Sequence, residues 1–145
     1  MIIVSACLAG INCRYDGNDN LIPEIKEMVL SGKAIALCPE ELGGLPTPRV
    51  SCEIFKGKVV NKLNEDVTVA FQVGAEKVLA IAKVLDTKTA ILKANSPSCG
   101  YGIIYDGTFS GNKTKGNGLT AELLASNGIQ IKNEENYHSL NKKQE

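Results

Sequence analysis

Four short apolar runs alternate with helical patterns along the 145 residues, and this alternation restricts the possible folds more than any other feature of the chain. The runs are IIVSA (2–6), AIAL (34–37), KTAIL (88–92) and IQIK (129–132). The first helix starts at Pro23, runs to about Leu30 and is ended by Gly32. Proline suits a first helical turn because the amide it lacks has no partner there, and glycine suits the left-handed residue that closes a helix. A longer helix is expected from about Val67 to Leu85, capped by Asp66, with Phe71, Ala75, Val78, Ala82 and Leu85 on one face. A third covers Leu119 to Ser126, before Asn127-Gly128. Strands separated by helices must cross over between pairings, which gives a parallel sheet with helices on its faces. The expected fold class is α/β: a single three-layer domain over 1–145, Rossmann-like, with a short, mainly parallel sheet.

The remaining stretches read as connections. Residues 7–20 are rich in Gly, Asn and Asp, and 39–50 contain Pro39, Pro46, Pro48, Gly43 and Gly44, so both are expected to be loops. Residues 51–60 could form a marginal hairpin around Lys56-Gly57. Residues 93–118 hold six glycines, broken by the apolar IIY at 103–105. The tail from Asn133 to Glu145 is polar and expected to be partly ordered.

Sixteen basic and sixteen acidic residues cancel, so no general attraction to nucleic acid or an anionic membrane is expected. Trp is absent and aromatics are few, which argues against a base-stacking platform. The opening MIIVSAC has no basic segment ahead of its apolar residues and is too short for a signal core. The expectation is a cytoplasmic protein, with no membrane partner and with reduced thiols. Its five cysteines form an odd set without a disulfide framework, and suit core packing, redox chemistry or metal ligation.

Cys7, Cys38 and Cys99 each follow an apolar run and lie in turn-rich sequence. If those runs are neighbouring parallel strands, their thiols meet outside the carboxyl ends, where such sheets bind ligands. Three thiolates on one metal centre would leave a coordination position open. A low-molecular-weight phosphatase loop is disfavoured, because Cys7 and Arg14 have six residues between them where that cradle needs five. A Cys-His nucleophile is disfavoured because the one histidine, His138, lies in the tail. A closed all-cysteine zinc site would need Cys13 or Cys52 and has no C-x-x-C pair to nucleate it. Iron–sulfur ligation fits better, while a small buried thiol is the ordinary fate of a cysteine.

The segments SACLAG and RYDG (5–10, 14–17), CPEELGGLPTPR (38–49) and SPSCG (96–100) resemble, in order, the motifs of a family once catalogued as a domain of unknown function. That family includes the 2-thiouracil desulfidases, and the resemblance covers nearly the whole chain. It implies an oxygen-sensitive [4Fe-4S] cluster, which can be lost during purification in air, and removal of sulfur from a thiolated pyrimidine. The product would be the oxo form and hydrogen sulfide, through Lewis-acid activation at an open iron and hydrolytic C–S cleavage. The motifs assign the cluster to Cys7, Cys38 and Cys99, leaving Cys13 and Cys52 as buried or half-buried side chains. They also give Glu40 the role of activating water and Ser96 that of binding substrate or relaying a proton, with Ser98 as the neighbouring hydroxyl. The implied partner is a small thiolated nucleobase; thiouridine within tRNA is the alternative substrate. The reading of another class is a non-catalytic iron–sulfur or metal-binding protein. Gly43 and Gly44 are expected to admit a close backbone approach to cluster or substrate. Arg49 is expected to pair with a carboxylate or anchor its loop. Arg14 and Asp16 are expected to bond each other or the pyrimidine edge, and Lys93 to reach the same edge. Tyr101 and Tyr105 are candidates to close over the pocket.

Overall fold

The computed structural model describes residues 1–139. Its centre is a four-stranded sheet built from β1 (Ile2–Ser5), β2 (Ala34–Leu37), β5 (Thr89–Ile91) and β8 (Gln130–Lys132). The order is β2-β1-β5-β8 and every pairing is parallel. These are the four runs expected as strands. Their side chains alternate between two apolar layers, as the two-residue period of a strand requires. Val4 and Ile91 face one layer with Ile25 of helix α1 (Pro23–Leu30) and Tyr137. Ile3, Ala90 and Leu92 face the other, with Val78 and Ala82 of α3 (Thr68–Val84) and Leu124 of α4 (Leu119–Ser126). Covering both faces is what allows so short a parallel sheet to be buried.

Helix α3 buries Phe71, Ala75, Val78 and Ala82 as its periodicity predicts, and Asp66 accepts the Thr68 amide at 2.9 Å. Leu85, expected on the same face, is only half-buried, because the helix ends at Val84. The hairpin foreseen around Lys56-Gly57 is β3 (Cys52–Phe55) paired with β4 (Lys58–Asn61), and both turn residues have positive φ. A second hairpin, β6 (Ile103–Tyr105) with β7 (Lys113–Lys115), was not foreseen as one: Lys113, Thr114 and Lys115 are all exposed and carry no apolar signal. Glu53 ties the hairpins together by accepting the Gly107 and Phe109 amides at 2.9 and 3.1 Å.

The loop expected over 39–50 begins with a single helical turn, α2 (Pro39–Leu42), with Pro39 in the first position. The purpose of Gly43 also differs from expectation. A Cβ on Gly43 would run into the Ala70 carbonyl, and one on Gly74 into the Pro39 carbonyl. The two glycines let α2 lie directly on the backbone of α3. Gly74→Ala is therefore expected to destabilise the protein by about 1–3 kcal/mol through overpacking. In an unobstructed helix the same change would stabilise by roughly 1 kcal/mol, so the sign of the shift in a thermal melt tests the contact.

In the tail, Tyr137 is buried and donates to Glu24 at 2.9 Å, while residues 140–145 lie outside the described residues. Among the described residues no helix is long and apolar enough to cross a membrane.

Candidate active site

The three cysteine-bearing strands are adjacent, so their carboxyl ends open into one place. A cavity of about 480 Å³ lies there, well inside the ~300–1,000 Å³ range of small-molecule sites. Cys7, Cys38 and Cys99 all line it, with Glu40, Ser96, Ser98 and Arg49. Cys13 and Cys52 line it too, so position alone does not single out three of the five thiols.

Cys7 sits in a 3-10 turn, Ala6–Ala9, directly after β1. Its carbonyl accepts the Gly10 and Asn20 amides at 3.2 and 2.9 Å, which folds the following loop back over the strand end. Gly10, at φ 93°, makes that reversal possible. Cys38 immediately precedes α2, so the contact of α2 with α3 fixes its position. Cys99 is buried at the far side, where its sulfur accepts the Ser5 hydroxyl at 3.2 Å and lies 3.6 Å from the Ser98 hydroxyl. Ser5 is itself oriented by the Lys93 amide at 2.9 Å.

The thiols differ electrostatically. A hydrogen bond from Cys13 is the main reason that Cys7 falls to about 7, against the opposing effect of burial. Cys13 lowers Cys38 in the same way, aided by the Glu41 backbone amide. Cys13 itself, raised by the same two neighbours and by burial, is held firmly as the thiol. Burial pushes Cys99 up to about 12, with the Ser5 hydroxyl opposing, and Cys52 up to about 11. Since the thiolate is the nucleophile, alkylation of the reduced, metal-free protein near neutral pH is expected at Cys7 and Cys38 before Cys52 and Cys99. Its rate at Cys7 should rise as pH passes through about 7 and then level off. Peptide mass spectrometry after timed quenching gives the order directly.

Glu40 and Arg49 form the charged centre of the site. Arg49 Nε donates to Glu40 Oε1 at 3.0 Å, with the side chains 6% and 15% exposed for Arg49 and Glu40 respectively. Arg49 also donates to the Pro46 and Cys13 carbonyls at 3.2 and 2.9 Å and to Thr47 Oγ1 at 2.9 Å. It thus satisfies both expectations, carboxylate partner and loop anchor. Burial alone would lower its pKa, but the Glu40 carboxylate outweighs that and raises it. The other Glu40 oxygen, Oε2, accepts from Ser98 Oγ at 2.9 Å.

Ser96 does not contact Glu40 directly. Its hydroxyl accepts the Cys99 amide at 2.7 Å and lies 3.3 Å from Ser98 Oγ. Since the Ser98 proton points at Glu40, the Ser96 hydroxyl donates to Ser98, and the two serines form a chain ending on the carboxylate. Ser98, 2% exposed, is the residue that sequence reasoning passed over in favour of its neighbour. Only the fold, which brings positions 40 and 98 together, distinguishes the two.

Arg14 bonds Asp16 at 2.8 Å and Asn20 at 3.1 Å, and lines the cavity. Lys93 lines it as well, but its ammonium is paired with Glu134 at 2.8 Å. Tyr105 borders the cavity, whereas Tyr101 is not part of its lining. His138 is 61% exposed and 3.9 Å from Glu24, away from this site.

A family model described as 2-thiouracil desulfurase matches residues 2–136. A Bacillus subtilis protein, uncharacterized protein YbbK, is 45% identical over 150 residues, covering 97% of this chain and 99% of its own length. Among solved structures, a [4Fe-4S]-dependent thiouracil desulfidase, TudS, is similar at a TM-score of 0.91 and 42% identity, covering 96% of this chain and 93% of that one. The α/β architecture, the strand-end cavity and these matches agree: the chain belongs to the 2-thiouracil desulfurase family.

Proposed function

We propose that this protein is a [4Fe-4S]-dependent desulfidase that converts a thiolated pyrimidine of the 2-thiouracil type to its oxo form and releases hydrogen sulfide. The observation that carries the reading is the meeting of Cys7, Cys38 and Cys99 with the Glu40–Ser98 pair in one cavity, in a chain of this family.

The donor set suits the cluster. Cysteine thiolates are its usual ligands, and histidine is absent from the cavity lining. Cys7 and Cys38 are already shifted toward the thiolate. Cys99 ionises only with difficulty in its buried setting, so it becomes a ligand when a cation compensates the charge, with the Ser5 hydroxyl ready to support its sulfur. When bound, the cluster supplies a Lewis-acidic iron that polarises the thiocarbonyl of the substrate.

The chain's own residues account for the rest. A carboxylate has about four lone-pair directions, and Arg49 and Ser98 occupy one on each oxygen of Glu40. Glu40 lines the cavity, and a remaining lone pair accepts the proton of the water that attacks the thiolated carbon. Arg49 fixes the carboxylate plane through Nε while its other donors hold the surrounding loop. Ser96 and Ser98 relay a proton between Glu40 and the substrate side of the cavity. The modest volume favours a single base as substrate. A reducing cytoplasm suits a chain with five free cysteines.

The test is purification without oxygen, followed by measurement of iron, acid-labile sulfide and the visible spectrum, then of sulfide release from 2-thiouracil. Repeated turnover with about four irons per chain, the content of such a cluster, supports the proposal. A loaded cluster that releases no sulfide from thiolated bases would identify a carrier instead. A colourless protein that takes up no iron on anaerobic reconstitution would end the cluster reading.

A further inference from the structure

Cys13 is not among the proposed cluster ligands, yet it lines the same cavity as Cys7 and Cys38. Its carbonyl accepts from the Cys38 thiol at 3.9 Å, and its side chain is buried in one cluster with Cys7. Its sulfur, that of Cys38 and a carboxylate oxygen of Glu41 all lie within 4.8 Å of one another. Thiolates bound about 2.3 Å from a tetrahedral zinc lie about 3.8 Å apart, which a cluster of donor atoms no more than 4.8 Å apart accommodates. We propose that the cluster-free protein holds one thiophilic divalent cation, of the zinc type, on Cys13, Cys38 and Glu41, in a second site that shares Cys38 with the cluster.

Each donor is positioned by something independent of the metal. The Cys13 carbonyl is fixed by Arg49 at 2.9 Å. Cys38 is fixed by the seating of α2 on α3. The Glu41 carboxylate is held toward the loop by the Thr47 hydroxyl at 2.5 Å. Two thiolates and a carboxylate around a divalent cation leave one negative charge, and the adjoining Arg49 guanidinium offsets it. Cys7, buried in the same cluster as Cys13, offers a further sulfur for the fourth position of a tetrahedral ion. Two sulfur donors favour zinc and related soft ions over magnesium or calcium. Glu41 is exposed, so the ion can enter from solvent.

Because Cys38 serves both sites, zinc occupancy and cluster assembly exclude each other. That consequence rests on the proposed cluster ligands; the zinc site itself does not. The experiment uses the full chain, stripped of iron by chelation and kept reduced without oxygen. Cobalt(II) is titrated first, read by thiolate-to-cobalt charge-transfer absorption, and zinc is then competed against a chromophoric chelator. One ion per chain is expected. Cys13→Ser should weaken zinc at least tenfold, and Glu41→Gln, an exposed change that leaves the core intact, should weaken it measurably. Cys99→Ser should leave zinc affinity unchanged. Circular dichroism verifies that each variant is folded. Absence of charge-transfer absorption overturns the proposal, as does a loss in Cys99→Ser equal to that in Cys13→Ser, which would put the ion on the cluster cysteines. In the exclusion arm, zinc-loaded protein should fail to take up iron and sulfide until the zinc is removed. Simultaneous zinc and cluster loading would overturn the shared ligand. Failure of the zinc-free protein to assemble a cluster would count against the proposed function and not against the zinc site.

Discussion

Glu40→Gln is expected to leave the cluster in place and to lower kcat for 2-thiouracil by about 10²–10⁴-fold, the usual contribution of a positioned general base. Glutamine keeps the shape of the side chain, but its amide offers one acceptor oxygen to the two donors Arg49 and Ser98, and it cannot take a proton from water. It also leaves Arg49 with a neutral partner. Loss of one hydrogen bond to a charged group costs about 1–3 kcal/mol. Arg49 retains its bonds to Pro46, Thr47 and Cys13, so the loop and the adjoining thiols stay in place. The expected result is thus a protein with unchanged iron content and visible spectrum, a slightly lower melting temperature and little turnover. Loss of iron along with activity would show that Glu40 acts through the architecture of the site. Ser98→Ala is the companion measurement. Its effect should exceed that of Ser96→Ala, because Ser98 contacts the carboxylate and Ser96 reaches it only through Ser98.

The sheet was legible because each strand falls on a brief apolar run, most fully buried in β1 and β5, and each crossover helix has its own punctuation. The convergence of Cys7, Cys38 and Cys99 followed from that alternation, since three adjacent parallel strands must end on the same side. Other features gave no periodic signal. The strand Lys113–Lys115 is held by backbone pairing and exposes every side chain. Helix α2 is one turn long and starts with a proline, which reads as readily as loop punctuation. Gly43 looked like a residue for ligand approach because it follows a cysteine motif, but its contact is with Ala70, 27 positions away. The Glu40–Arg49 pair lies within a stretch without repeating pattern, and Glu40 with Ser98 spans 58 positions. Pairings of that kind depend on where the sheet sends its loops, so motif spacing named the segments without naming the partners inside them. Cys13 shows the same limit: its sequence neighbours suggest a small buried side chain, while the fold sets it between two candidate ligands.

Replacing the cysteines one at a time is expected to divide them sharply. Cys7→Ser, Cys38→Ser and Cys99→Ser should each abolish the visible chromophore and most of the bound iron after anaerobic reconstitution, because a serine oxygen is a poor substitute for a thiolate on an iron–sulfur cluster. Cys52→Ser should retain both, since Cys52 is half-buried on β3, outside the strand ends that converge. Cys13→Ser should also retain the cluster, which separates a thiol that hydrogen-bonds the ligands from one that binds iron. The choice among five cavity-lining thiols rests on Cys99 in particular. Cys13 stands closer to Cys38 than the spacing of a cubane's ligands requires, whereas Cys99 reaches the cavity from β5, across β1 from Cys38. Its thiol, pushed up to about 12 by burial, gains most from a metal that permits ionisation. If Cys99→Ser assembles a full cluster and Cys13→Ser does not, the iron is held by the wall of Cys7, Cys13 and Cys38. The Ser5 and Ser98 hydroxyls around Cys99 would then need another purpose.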